Sequence, residues 1–183
     1  MTLPRVTWQA IAIMACLLAA STLPPMLHEP LLRQVAWLML CALAAAIAIE
    51  DLARMLIPDG YTAAIAVVGA ALAFTTHGWA GLGVAAIEAA ILAAGLMLMS
   101  LFYERLRGRS GLGFGDVKLL SASALLIGVW GVGMQILFAS VAALVFTALR
   151  AARRRRPLKA VTRIPFATFL APALVLVWAW VVR

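Results

Sequence analysis

Charge is what this chain has least of. Asp, Glu, Lys and Arg make up 12% of its 183 residues, whereas 66% are hydrophobic and the mean hydropathy is +1.06. A soluble domain of this length cannot cover so much apolar surface with so few charges, so that class is excluded. Cysteine is scarce too: Cys16 and Cys41 stand alone inside apolar runs without a CxxC pair, which removes a disulfide framework and a thiolate zinc site. His28 and His77 are isolated and placed in loops, so neither a Ser/His pair nor a histidine metal site is expected. No cofactor and no metal is implied.

What the chain does have is apolar runs bounded by charge, Pro or Gly, at about 8–25, 32–50, 61–76, 80–103, 117–131, 133–150 and 165–181. A membrane-crossing helix needs roughly 20 such residues. The expected fold is therefore all-α, a polytopic membrane helical bundle of about seven transmembrane helices forming one domain over residues 1–183. The fifth and sixth runs meet at Gly131, Val132 and Gly133, where a tight helical hairpin is expected. The first run follows a single Arg, like a signal peptide, but no small-residue cleavage site leads into a soluble chain, so it reads as a retained span.

Seven spans put 13 of the 15 Lys and Arg residues on one side, leaving Arg33 and Arg183 on the other. The positive-inside rule makes the first side cytoplasmic, with the N-terminus inside, as in a bacterial inner membrane. The net charge of +8, which includes Arg153, Arg154, Arg155 and Arg156 in a row, lies mostly in loops between the runs. Anionic lipid headgroups, and not nucleic acid, are the expected counterions.

Seven acidic residues remain: Glu29, Glu50, Asp51, Asp59, Glu88, Glu104 and Asp116. Asp51 closes the second run and Asp116 opens the fifth, after the stretch GLGFGD, so both fall at cytoplasmic helix ends on one level. Two carboxylates at one level form an acid/base pair able to hydrolyse a peptide bond without a metal or a nucleophile. They share a proton and titrate as a unit. Gly111, Gly113 and Gly115 suit a backbone that bends and lets another segment approach closely. A phosphate-cradling loop is disfavoured, because no GK[ST] follows.

These residues carry a family resemblance. The segment GFGDVKLL, Gly113 to Leu120, resembles the GxGD motif of the type IV prepilin peptidases, whose Asp is catalytic. The segment DLARMLIPD, Asp51 to Asp59, is similar to the family's first-aspartate motif, an Asp followed after six residues by Pro and then Asp or Asn. Only Asp51, and not Glu50, has that gap to Pro58. A third segment, IPFATFLAPA from Ile164 to Ala173, resembles the family's IPFGPFLA element, but departs from it at Ala167 and Thr168 and receives no chemistry. The resemblance implies an aspartyl peptidase with Asp51 and Asp116 as catalytic residues, and Gly113, Gly115 and Lys118 supporting the catalytic loop. Its implied substrate is a prepilin-like protein with a short basic leader, a small residue before the scissile bond and a hydrophobic helix after it. Longer members carry a cytoplasmic insert with paired cysteines, associated with N-methylation. Here the corresponding interval is about Pro24 to Arg33, which implies the short, peptidase-only form found with Tad-type pilus systems.

Plainer readings stand beside these. Asp116 also suits a helix N-cap, whereas Asp51 at a helix C-terminus opposes the dipole. Asp59 reads as a turn residue or N-cap, Glu50 as interfacial, and Lys118 points away from the face of Asp116. Glu88 lies alone inside the fourth run, and reads as a hydrogen-bonded group between helices or a functional acid. A proton-coupled transporter or channel would use Asp51, Asp116 and Glu88 as a relay. A Mg²⁺-dependent headgroup transferase would need several acids on one helix face, and Asp51 has only Glu50 and Asp59 near it.

Overall fold

In the computed structural model, which describes residues 22–23, 27–108, 112–154 and 165–181, the described residues contain helices and no strand. The four long helices are α1 (Leu31–Arg54), α2 (Asp59–Arg107), α3 (Phe114–Arg154) and α4 (Ala167–Val181). Three segments, Leu31–Arg54, Asp59–Arg107 and Phe114–Leu149, are long and apolar enough to cross a membrane. Most of the first apolar run, Gly111, and Arg155 and Arg156 lie outside the described residues.

Helix α2 has 49 residues, which as a straight rod is about 74 Å, more than twice a hydrocarbon core of about 30 Å. It is not straight. Gly78 interrupts it at φ 63°, ψ −155°, and Gly128 interrupts α3 at φ 64°, ψ 176°. Both conformations belong to a region that is essentially glycine-only. At each break the helix kinks, and a second glycine three residues on sits in a close contact. A Cβ on Gly81 would lie 2.3 Å from the His77 Cβ, and one on Gly131 would lie 2.6 Å from the Ile127 Cβ. Each long helix is thus two arms, 59–77 with 79–107 and 114–127 with 129–154.

The boundary between the runs 61–76 and 80–103 therefore falls at Gly78. The expected hairpin at Gly131 to Gly133 does not form there: the break is at Gly128, and Gly131 and Gly133 continue the second arm. The physical reason is that the positive φ falls on Gly128 alone of the three.

Helix α4 is the pillar of the bundle. Nearly every side chain from Ala167 to Ala179 is buried, so it is apolar all round rather than along one stripe. It packs against α1 and α3, and α3 packs in turn against α2. Alanines fill many of these contacts, including Ala36, Ala44, Ala124, Ala139, Ala171 and Ala179, which lets helix backbones approach closely. Inside the packing, Gln135 Nε2 donates to the Leu170 carbonyl at 3.0 Å. The outer surface is apolar as well. Val84, Ile87, Ile91 and Leu98, spaced along one face of the second arm of α2, are each more than half exposed, as a lipid-facing surface requires. Trp79 and Trp130 stand exposed just past the two breaks.

Candidate active site

The buried side chains of α1 are Ala36, Trp37, Leu40, Ala44, Ile47, Ala48 and Asp51. Their three- and four-residue spacing draws a single stripe, and Asp51 is its last member. Glu50, one position earlier, falls off the stripe, and its carboxylate faces Arg54 at 3.5 Å. Helical phase thus buries Asp51 and leaves its neighbour half-buried.

Asp51 is only 6% exposed, at the C-terminal end of a helix, where the dipole disfavours an anion. The compensation comes from α4. Thr168 donates its backbone N–H to Asp51 Oδ2 at 2.8 Å and its hydroxyl to the same oxygen at 3.1 Å. Ala167 and Thr168 form the first turn of α4, whose N–H groups have no partner within the helix. Thr168, in a segment to which the sequence assigned no chemistry, therefore supplies the cradle of the buried aspartate. Its departure from the family element is the signal that was there to be read: Thr168 brings a backbone N–H and a hydroxyl where proline has neither.

Asp116 sits in the first turn of α3, half-buried. Its N–H donates to the Gly113 carbonyl at 3.0 Å, and its carboxylate folds back so that a Cβ on Gly113 would lie 3.1 Å from Oδ2. Gly115 is the point of closest approach between two segments: a Cβ there would meet the Ile57 side chain at 3.2 Å. This contact lays the 55–58 turn, which follows Asp51, against the helix start that carries Asp116. The two carboxylates lie within Coulombic range of one another. Met55, directly after α1, takes a left-handed conformation at φ 53°, unusual for a residue with a side chain.

Lys118 turns away from the aspartates and binds Asp59 Oδ1 at 2.7 Å, with its ammonium 4.6 Å from the centroid of the Phe114 ring. Asp59 is the first residue of α2, with Pro58 in the N-cap position, so its carboxylate acts in an ion pair between the two aspartate motifs. Ser100 Oγ donates to the Leu112 carbonyl at 3.3 Å and secures the second arm of α2 to the glycine-rich stretch.

Glu88 is elsewhere. Its Oε2 accepts the Val129 N–H at 3.1 Å, at the helix start just beyond the Gly128 break. From Asp116 to Gly128 the helix rises about 18 Å, so Glu88 is not a neighbour of the aspartate pair. It lines a cavity of about 560 Å³ with Arg33, Thr76, His77, Ile127 and Trp178. Among the described residues no group of three or more His, Cys, Asp or Glu side chains is arranged to hold a metal ion.

The family model described as the type IV leader peptidase family matches residues 37–148, a span that contains both aspartates. A prepilin leader peptidase/N-methyltransferase of Aeromonas salmonicida (strain A449) is 32% identical over 152 residues, covering 79% of this chain and 49% of that protein. A second protein of the same name from Aeromonas salmonicida matches to the same extent. The chain thus spans about half the length of the curated relatives it matches. No solved structure matches it.

Proposed function

Because the chain belongs to the type IV leader peptidase family, we propose that it is a membrane-embedded aspartyl endopeptidase that cleaves the leader from prepilin-like precursors, with Asp51 and Asp116 as its catalytic pair. The observation that carries the proposal is that two aspartates 65 residues apart in sequence lie within Coulombic range, with Ile57 of the stretch after Asp51 packed on Gly115 beside Asp116. Two carboxylates in this relation hold one proton between them. One takes a proton from water as the water oxygen bonds to the scissile carbonyl carbon, and the other gives its proton to the carbonyl oxygen. The C–N bond then breaks as the first passes its proton to the leaving nitrogen, while a hydroxyl of the tetrahedral intermediate returns a proton to the second.

In this reading the enzyme is a multi-pass protein of the bacterial inner membrane. The arms of α2 and α3 count as separate spans which, with α1, α4 and the first apolar run, make seven. The aspartates then face the cytoplasm, where Arg54, Arg105, Arg107 and the Arg run meet anionic headgroups. Its substrate, in this reading, has a short basic leader, a small residue before the scissile bond and a hydrophobic helix after it. Gly113, Gly115 and Lys118 keep the glycine-rich loop in place. A relay through Glu88, as a transporter would need, is disfavoured by the rise of about 18 Å between Asp116 and Gly128, next to its partner Val129.

The test is processing of a co-expressed prepilin by the Asp51→Asn and Asp116→Asn variants, each checked for its level in the membrane. Both are expected to abolish cleavage. Near-normal cleavage by either one, with the protein present, would sink the proposal.

A further inference from the structure

The structure treats its two aspartates unequally. Asp51 Oδ2 receives two hydrogen bonds from Thr168 and faces the N-terminus of α4, a helix of 15 residues. Among the described residues no donor reaches the Asp116 carboxylate, which lies over Gly113. The Thr168 hydroxyl has a second acceptor in reach, the Ala48 carbonyl at 3.5 Å, but Asp51 at 3.1 Å is the closer.

Donors and a helix N-terminus favour a charged carboxylate over a neutral one. When two carboxylates hold one proton, the member surrounded by donors keeps the charge. We propose that Thr168 is a positioning residue which fixes Asp51 as the water-activating carboxylate, leaving Asp116 as the member that carries the proton. With Oδ2 occupied by Thr168, Oδ1 is the oxygen left to take the proton from water. Asp116, unheld, is free to follow the carbonyl oxygen as that atom gains charge and becomes tetrahedral. The inference rests on the reading of Asp51 and Asp116 as a catalytic pair.

The test uses the full chain in lipid with a prepilin-like precursor as substrate. Thr168→Val keeps the backbone donor and the shape of the side chain but removes the hydroxyl. Its kcat is expected to fall about tenfold, the scale of one hydrogen bond to a charged group, with KM within about twofold. The kcat–pH profile is expected to be displaced, and Thr168→Ser to restore both kcat and the profile. Rates are taken per folded molecule, measured by resistance to detergent unfolding. Thr168→Ala, which removes the same hydroxyl with less bulk, serves if the valine variant does not fold.

Unchanged kcat and an unmoved profile in Thr168→Val or Thr168→Ala would overturn the inference. A raised KM with unaltered kcat would do so too, because Thr168 would then be a substrate contact. In either case the catalytic pair stands as long as Asp51→Asn and Asp116→Asn are inactive. Activity in one of those aspartate variants would instead remove the reading underneath.

Discussion

Substituting Gly128 by alanine addresses the break that turns α3 into two arms. At φ 64°, ψ 176° an alanine pays a backbone strain of about 1–3 kcal/mol. Its Cβ would also lie 2.9 Å from Glu88 Oε2, so the carboxylate must retreat from the Val129 N–H. That bond is at an exposed position, which holds its worth to about 1 kcal/mol. The expected loss is therefore about 2–4 kcal/mol of bundle stability. Gly133→Ala is the control: a Cβ there meets nothing within 4 Å, and helix propensity favours alanine by about 0.5–1 kcal/mol. Unfolding by denaturing detergent in mixed micelles, followed by helicity, measures both. Catalysis per folded Gly128→Ala molecule should stay within about twofold, since Asp116 is about 18 Å away. Glu88→Ala should cost less in the Gly128→Ala background than alone, because the bond it removes is already broken. A Gly133→Ala loss larger than that of Gly128→Ala would refute the placement of the break and return it to residues 131–133.

Two further substitutions address the site itself. Gly115→Ala sets a Cβ 3.2 Å from Ile57, forcing a shift of a few tenths of an ångström between the 55–58 turn and the start of α3. Leader cleavage is expected to fall roughly three- to tenfold, with partial recovery on Ile57→Ala, because small misplacements of reacting groups are costly. Asp59→Asn breaks the Lys118 ion pair, whose aspartate side chain is 77% exposed, and should cost less than about 1 kcal/mol of stability. A cycle with Lys118→Met that gave a coupling well above that figure would show the pair to be more than a surface tie.

Much of this arrangement was legible in the chain. The apolar runs from residue 32 onward marked the helices among the described residues, and the gap to Pro58 singled out Asp51, which is also the buried end of the α1 stripe. The break at Gly128 was not legible: three glycines lie within six residues, and hydropathy alone does not reveal which one carries positive φ. Glu88 was a puzzle because its partner, Val129, is 41 residues away and is a backbone group, which no side-chain pattern announces. Thr168 was set aside for the same reason. Its contact with Asp51 spans 117 residues, and only the packing of α4 against α1 creates it. Local signals specify helices and turns, whereas a residue whose role is to serve another from across the bundle shows in the sequence only as a departure from a motif.

The cradle of Asp51 also orders events in time. A ribosome delivers α1 long before α4, so while the chain is being inserted the buried aspartate faces the end of its own helix with nothing to receive it. Its two hydrogen bonds to Thr168 arrive with almost the last helix of the described chain. A partly inserted chain therefore holds both carboxylates but lacks the clasp on one of them. Under the proposed function, assembly and competence coincide, because the clasp on Asp51 forms only when α4 packs against α1.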